Sequence, residues 1–381
     1  MEWVKGPAIG RGSSATIYLA KSKPSNALFA VKSMGAARSA GLQRESAILS
    51  SIRHPCIVAH LGSCTTLGGN DEPTFNLFME YMAHGTLAHL VRARAMTEPV
   101  IRRYAGTVLK GLHHLHTLGL VHGDIKGENI LLGPNGLAKI GDLGCAKWAR
   151  DGHEMAGTPL FMAPEVARGE RQGQESDIWS FGCLIIEMAT GLAPWLYGSS
   201  LGGLDGLSPF EAMARIGRAK NGPCVPDWLS TQAKDFLSKC LCLNPEERWN
   251  AEQLQGHGFV RDVSLSSVPP SFHAPPSPVS LDFEDGVSTS LSPPPKEECG
   301  VSLSNSPKSV LALELWSLSS SSSFSLSSSV KERDSERGGC EAFASERLRK
   351  LAAKGKPNWE RDEEEWITVK SQWNPLSQWI R

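Results

Sequence analysis

The sequence lacks a long apolar run, a surplus of either charge, and cysteines at ligand-like spacing, and each absence removes a class of function. No apolar stretch approaches the ~20 residues that a membrane-spanning helix needs. The start Met1-Glu2-Trp3-Val4 does not read as a secretory signal. Lys and Arg number 39 against 40 Asp and Glu, a net charge of −1, so no overall field draws the chain to nucleic acid or to acidic membranes. The nine cysteines are scattered, without CxxC pairs or histidines at metal spacing. Cys240 and Cys242 are too close for a zinc knuckle or an easy disulfide and read as core thiols of a reducing compartment. The expected location is the cytoplasm, or also the nucleus. With 381 residues, 40% hydrophobic and 21% charged, the chain can form one large or two modest domains.

What is present is concentrated in Val121 to Gly144, VHGDIKGENILLGPNGLAKIGDLG. HGDIKGEN reads as a loop between an apolar helix and the short strand ILL, and a second strand, LAKI, runs into GDLG. Two short antiparallel strands would therefore carry Asp142 back beside the loop that holds Asp124. One Asp or Asn in a loop is ordinarily a turn former, but two spaced motifs with strands between them point elsewhere. The inventory suits phosphoryl transfer from Mg-ATP. Asp124 would orient an acceptor hydroxyl and take its proton, Asn129 and Asp142 would hold the metal ions that bridge the phosphates, and Lys126 would steady the transferring charge.

Upstream, GPAIGRGSSATIYLA is two β-rich runs joined by a Gly-rich turn. Gly10 and Gly12 would let backbone amides approach phosphates without a Cβ in the way, although a plain hairpin turn would use the same residues. ALFAVKSM alternates like a strand and carries Lys32, whose ordinary reading is a solvated edge lysine. Arg38 to Ile52 has the period of an amphipathic helix. Leu42, Ile48, Leu49 and Ile52 mark its inner stripe, and Glu45 stands one turn before Leu49.

Together these motifs resemble those of the eukaryotic protein kinases, whose catalytic loop reads HRDxKxxN and whose metal loop reads DFG. The resemblance covers about residues 1–260. Gly123 stands in the Arg position, Leu143 in the Phe position, and Ala15 in the third Gly position of GxGxxGxV. It implies an α+β, two-lobed fold. A five-stranded sheet with one helix would occupy 1–82 and a larger helical lobe 83–260, with Mg-ATP between them. It further implies a Lys32–Glu45 pair holding the lysine against the α- and β-phosphates. Ile9 and Ile17 would cover the adenine and ribose, Met79 would be the gatekeeper, and Glu80, Tyr81 and Met82 the adenine-binding hinge. His122 and Leu143 would join an apolar column between the lobes.

Beyond Gly85 a short helix, TLAHLVRA, precedes a long one from Pro99 to Leu118, with Val100, Tyr104, Val108, Leu109, Leu112 and Leu115 buried. Its HHLH run at 113–116 looks like a metal cluster, but no further ligand is near and helix packing is expected. Ala163-Pro164-Glu165 supplies an ion-pair partner for Arg248. A helix from Ser176 to Thr190 would be capped by Asp177, which would also accept backbone N–H bonds from the catalytic loop. Helices near Pro209–Lys220 and Ser230–Leu241 follow, and Ala251 to Phe259 is the last packed element. Between Cys145 and Ala156 there is no Ser, Thr or Tyr. Kinases that switch by loop phosphorylation carry an acceptor here and an Arg before the catalytic Asp to receive it. This chain lacks both, so the segment is expected to take its active shape without phosphate there, with Thr158 contacting Asp124 and Lys126.

From 261 to 340 the chain is Ser/Pro-rich and expected to be disordered. Ser277, Ser292 and Ser306 precede prolines, and Lys308 opens a thin docking-like motif. Residues 341–381 are charged and bear Trp359, Trp366, Trp373 and Trp379, suited to anchoring a regulator, a MAP kinase or the kinase domain itself. Lys126 and the Gly157-Thr158-Pro159 run imply Ser/Thr rather than Tyr acceptors. DIKGEN and GTPLFMAPEV are similar to the MEKK type of mitogen-activated protein kinase kinase kinases. Gly123, the minimal N-terminus and the Ser-rich, Trp-bearing tail are similar to a plant branch of stress and hormone signalling. The substrate so implied is a MAP kinase kinase. The alternatives are a Ser/Thr kinase with other protein substrates and a scaffold acting mainly through its tail. A pseudokinase would lack Lys32, Asp124, Asn129 or Asp142, and all four are present.

Overall fold

The computed structural model describes residues 2–12, 15–67, 72–93, 95–134, 136–151, 155–199, 207–261 and 367–370. The expected 261–340 linker lies outside them apart from Arg261, as do the four tail tryptophans. Five strands follow one another with a single helix inserted: β1 (Glu2–Arg11), β2 (Thr16–Ser22), β3 (Leu28–Gly35), α1 (Ala40–Ser50), β4 (His60–Leu67) and β5 (Pro73–Glu80). They form an antiparallel sheet in the order β1-β2-β3-β5-β4. Trp3, Phe29 and Phe78 meet edge to face at ring-centroid distances of 5.4–6.1 Å and anchor the core of this smaller lobe, together with Ala20 and Val31. On α1, Leu42, Ile48 and Leu49 are buried, as the helical period predicts.

One departure concerns the sheet. It has six strands rather than five, because β10 (Ile367–Lys370), far along the chain, pairs antiparallel with β1 in the register Glu2↔Lys370 to Lys5↔Ile367. An edge strand presents unpaired N–H and C=O groups, and any alternating segment that reaches it can add itself. The tail carries such a segment, but nothing local in it marks the target.

The larger lobe is helical: α2 (Leu87–Ala93), α3 (Glu98–Thr117), α4 (Pro164–Ala167), α5 (Gln174–Thr190), α6 (Pro209–Gly217), α7 (Thr231–Cys240) and α8 (Ala251–Gln255). Between α3 and α4 lie the short strands β6 (Leu120–Val121), β7 (Ile130–Leu132), β8 (Ala138–Ile140) and β9 (Lys147–Trp148). β7 pairs with β8 and β6 with β9, both antiparallel. A single apolar cluster runs from Ile48 and Leu49 of α1, with Ile52 just after it, through Leu143 to the cores of α3, α5 and α7. Leu143 therefore plugs the joint between the lobes, as the resemblance implies. Of the stripe expected on α3, Val100 is only partly buried and Ile101 takes its place in the core.

A second departure concerns α5. The helix begins at Gln174, with Gly173 at its cap position, so Asp177 lies inside the first turn and does not cap it. Its carboxylate is drawn away by the catalytic loop: Oδ2 accepts from His122 N and Oδ1 from Gly123 N, each at 2.8 Å. The HHLH histidines pack as expected. His114 stacks on His54 at 4.7 Å, and His116 Nε2 meets Asp177 Oδ2 at 3.0 Å.

Candidate active site

Sheet register places the glycine-rich hairpin over the site. Gly10 stands opposite Ile17 on β2, and Ile17 stands opposite Lys32 on β3. Gly12 N donates to Ala15 O at 2.9 Å to tighten the turn. Ser13 and Ser14 lie outside the described residues. Ile9 keeps 38% of its surface exposed, unusual for an isoleucine in a sheet and consistent with an apolar wall for a ligand.

Lys32 Nζ bridges two carboxylates, Glu45 Oε2 on α1 at 2.8 Å and Asp142 Oδ1 at 2.9 Å. Burial by itself would lower the Lys32 ammonium, but Asp142 and Glu45 outweigh it and raise it. Lys32 in turn holds the Asp142 carboxyl down to about 2 against the cost of its desolvation. The outcome is a fixed anion with half of its side-chain surface, 52%, still open. Burial pushes the Glu45 carboxyl up, with Lys32 pulling against it. Asp142 also sits at φ +51°, in the left-handed region that side-chain-bearing residues rarely adopt. Such strain persists where the surroundings over-determine it, most often at functional sites. Here Lys32 and Gly144 N, which donates to Asp142 Oδ1 at 3.3 Å, hold the carboxylate in place.

The loop between β6 and β7 supplies the second group. Asp124 accepts from three donors: Thr158 N at 2.9 Å on Oδ1, and Asn129 Nδ2 at 3.0 Å and Lys126 Nζ at 3.2 Å on Oδ2. Asn129 Nδ2 also donates to Asp124 O at 2.7 Å, which leaves the amide oxygen as the acceptor for a ligand. Lys126 Nζ donates to Thr158 Oγ1 at 2.6 Å, the contact expected of that threonine. Burial pulls the Lys126 ammonium down, but Asp124 and Glu128 more than compensate and it is raised. His122 is buried, with Nε2 facing Gly141 O at 3.1 Å, so it braces the loop against the turn that carries Asp142. Glu165 and Arg248 form the expected buried pair at 2.8 Å.

At the β5 end, Glu80 uses its carboxylate on Lys139, at 2.7 and 2.8 Å, and on Ala59 N at 2.7 Å. Its side chain is therefore committed within the protein, and its N–H donates to Ala59 O at 3.1 Å. Met82 is buried. The donor set fits Mg-ATP. Mg²⁺ is held by one or two hard oxygen side chains together with substrate phosphates, and Asp142 with the Asn129 amide oxygen supplies those two.

Sequence reasoning missed two polar groups that this site contains. Gln172 is buried against Gly123 and against Ala156, the end of the activation segment (residues 145–156). Glu187 of α5 accepts from Gly127 N at 2.9 Å, and burial pushes its carboxyl up to about 7. A Gln in RQGQES and a Glu in an apolar helix carry no local signal. Gly157 was noted only as part of the Gly157-Thr158-Pro159 run, and its backbone role was not: it sits at φ +116°, where a Cβ would strike the Gly123 carbonyl.

Comparison with known proteins agrees with this geometry. The protein kinase domain family matches residues 3–260. Mitogen-activated protein kinase kinase kinase 17 of Arabidopsis thaliana is 44% identical over 264 residues, 68% of this chain and 70% of the relative. Mitogen-activated protein kinase kinase kinases 18 and 20 of the same plant are 43% and 38% identical, each over 68% of this chain and 78% of the relative. The chain belongs to the protein kinase family, and within it to the mitogen-activated protein kinase kinase kinases of the plant type.

Proposed function

We propose that the chain transfers the γ-phosphoryl group of Mg-ATP to Ser or Thr hydroxyls of a MAP kinase kinase. The observation that carries this reading is the convergence of Asp124, Lys126, Asn129 and Thr158 beside the Lys32–Glu45–Asp142 bridge. Asp124, oriented by its three donors, positions the acceptor hydroxyl and takes its proton. Lys126 lies beside the same carboxylate and stabilises charge developing on the transferring group. Lys32, held by Glu45, binds the α- and β-phosphates, and Gly10 and Gly12 let the hairpin backbone approach them. Ile9 and Ile17 wall the adenine and ribose, and the Glu80 carbonyl with the Met82 N–H takes the adenine edge. Asp142 and Asn129 would hold Mg²⁺, which would neutralise phosphate charge when bound.

The MAP kinase kinase substrate and a role in stress or hormone signalling are read from the group the chain belongs to. Residues 341–381 are proposed to dock a MAP kinase or a regulator. No helix among the described residues is long and apolar enough to cross a membrane, and a cytoplasmic or nuclear location is proposed.

The test is phosphorylation of a catalytically dead MAP kinase kinase by phosphatase-treated full-length protein with Mg-ATP. Asp124→Asn should lower transfer by roughly a hundred-fold or more, and Asp142→Asn should lower transfer and raise the Mg²⁺ concentration that it requires. Equal transfer by wild type and Asp124→Asn would refute the assignment.

A further inference from the structure

Asp124 and its loop are held by something other than a phosphate. The residue before Asp124 is Gly123, at φ +80°. A Cβ placed on it would lie 3.0 Å from Cys145 O and 3.4 Å from Gln172 Nε2. The adjoining cavity, lined by Asp124, Thr158 and Gln172, measures about 10 Å³, room for one water and not for an arginine. The position from which an arginine would receive an activating phosphate is thus crowded, first by the Cys145 carbonyl and then by Gln172.

Gln172 lies between α4 and α5 and is 6% exposed. Its amide uses its full hydrogen-bonding capacity. Nε2 donates to Gly123 O at 3.1 Å and to Ala156 O at 2.9 Å. Oε1 accepts from Ala156 N at 3.2 Å and from Lys147 Nζ at 3.1 Å. Only this amide orientation is consistent, since the flipped one would aim its donors at an N–H and an ammonium. One side chain therefore joins the main chain at two places, the catalytic loop at Gly123 and the far end of the 145–156 segment at Ala156, and also meets the Lys147 ammonium from β9. The pair of bonds to Ala156 copies a β-ladder and fixes that peptide two residues before Thr158, which itself holds Asp124 and Lys126. Neighbours on the same strap reinforce it, with Arg171 Nη2 donating to Ala149 O at 2.6 Å and Gln174 Nε2 to His116 O at 2.7 Å.

We infer that Gln172 is the positioning residue of the activation segment, a neutral latch that does the work of a phosphate–arginine pair and keeps the segment in its active shape without phosphorylation. It touches neither nucleotide nor acceptor and acts through Ala156, Thr158 and Asp124. A neutral amide suits the place, because a buried charge opposite two carbonyls would need a partner, whereas four matched bonds leave nothing unsatisfied. The inference rests on the kinase reading for its consequence in turnover, but the latch itself is a property of the fold.

The experiment compares full-length wild type, Gln172→Ala and Gln172→Glu. The glutamate is nearly isosteric and keeps the acceptor, yet turns both donors into lone pairs facing Gly123 O and Ala156 O. Hydrogen exchange is followed without ATP or substrate, and steady-state kinetics with both. The expected result is exchange about tenfold faster in residues 145–158, with α5 and α7 still protected. The kcat should fall about tenfold in both variants while KM for ATP changes less than twofold, and phosphatase treatment of wild type should alter neither readout. Unchanged exchange in 145–158, or a loss spread evenly over α5 and α7 with KM for ATP rising in step, would overturn the latch. So would a tenfold fall in wild-type kcat on phosphatase treatment. If wild type transfers no phosphate at all, the functional reading fails while the exchange result still decides the latch.

Discussion

Single residues in this site are held by environments that can be tested one at a time. Glu187 keeps part of its surface exposed, yet its carboxylate is enclosed by protein and burial lifts it from 4.5 to about 7. A carboxyl raised on folding binds its proton in the folded chain when the unfolded chain has already released it. Stability contributed here therefore falls as pH rises from about 4.5 to about 7 and is level above that. Glu187→Gln keeps an acceptor for Gly127 N and removes the charge. It should flatten that slope and be more stable than wild type at pH 8 by about 1–2 kcal/mol, a figure reduced for the partial exposure. Urea unfolding at pH 5 and pH 8 measures it. Gly157→Ala tests a different constraint. Its Cβ would collide with the Gly123 carbonyl in a backbone region hostile to side chains, so kcat should fall more than about tenfold, whereas Gly136→Ala, away from the site with open space at its Cβ, should change kcat little.

Elements are tied by a few buried polar contacts, and their strength depends on all partners being present. Glu165 on α4 meets Arg248 in a pair whose side chains are 3% and 0% exposed. Arg248 also donates to Glu175 O at 2.6 Å and to Cys242 O at 3.0 Å, so it joins α4, α5 and the chain after α7. Removing one member strands a buried charge. Arg248→Met is therefore expected to cost roughly 3–5 kcal/mol in chemical denaturation. Glu165→Gln with Arg248→Met should cost less than Arg248→Met alone, because the stranded carboxylate is gone. Asp177 does for α5 what Arg248 does for α4. Its two oxygens bind successive backbone N–H groups of the catalytic loop, so α5, the most buried helix, sets the height of Asp124.

At the scale of the whole molecule, the two lobes share one apolar cluster through α1 and Leu143, and the smaller lobe takes a strand from the far end of the chain. The β10 pairing covers the outer edge of β1, whose inner face carries Trp3 into the aromatic core. Replacing Ile367–Lys370 with Gly-Ser repeats should raise amide exchange in Glu2–Lys5 about tenfold or more and leave β3 and β5 protected. Unaltered exchange in β1 would show that its edge does not depend on the tail. The same exchange map reads the Gln172 latch, so one data set tests both ends of the fold.

The site residues that the sequence made legible are those whose chemistry is set by short spacing. Asp124, Lys126 and Asn129 lie within six residues of one loop, a tight hairpin returns Asp142 to it, and helical period marks Glu45 on the same face as Leu42 and Leu49. Local geometry follows from local sequence, because a loop, a hairpin and a helix each fix where their own side chains point. The tertiary structure alone decided the rest. Asp177 braces the catalytic loop as expected, but it does not also cap its helix, because the helix starts three residues earlier and both carboxylate oxygens face the loop. Gln172, 49 residues from Gly123, and Glu187, 60 from Gly127, are ordinary polar residues until packing delivers their partners. A buried polar group must be satisfied by whatever chain arrives next to it, and only the folded chain determines which one that is.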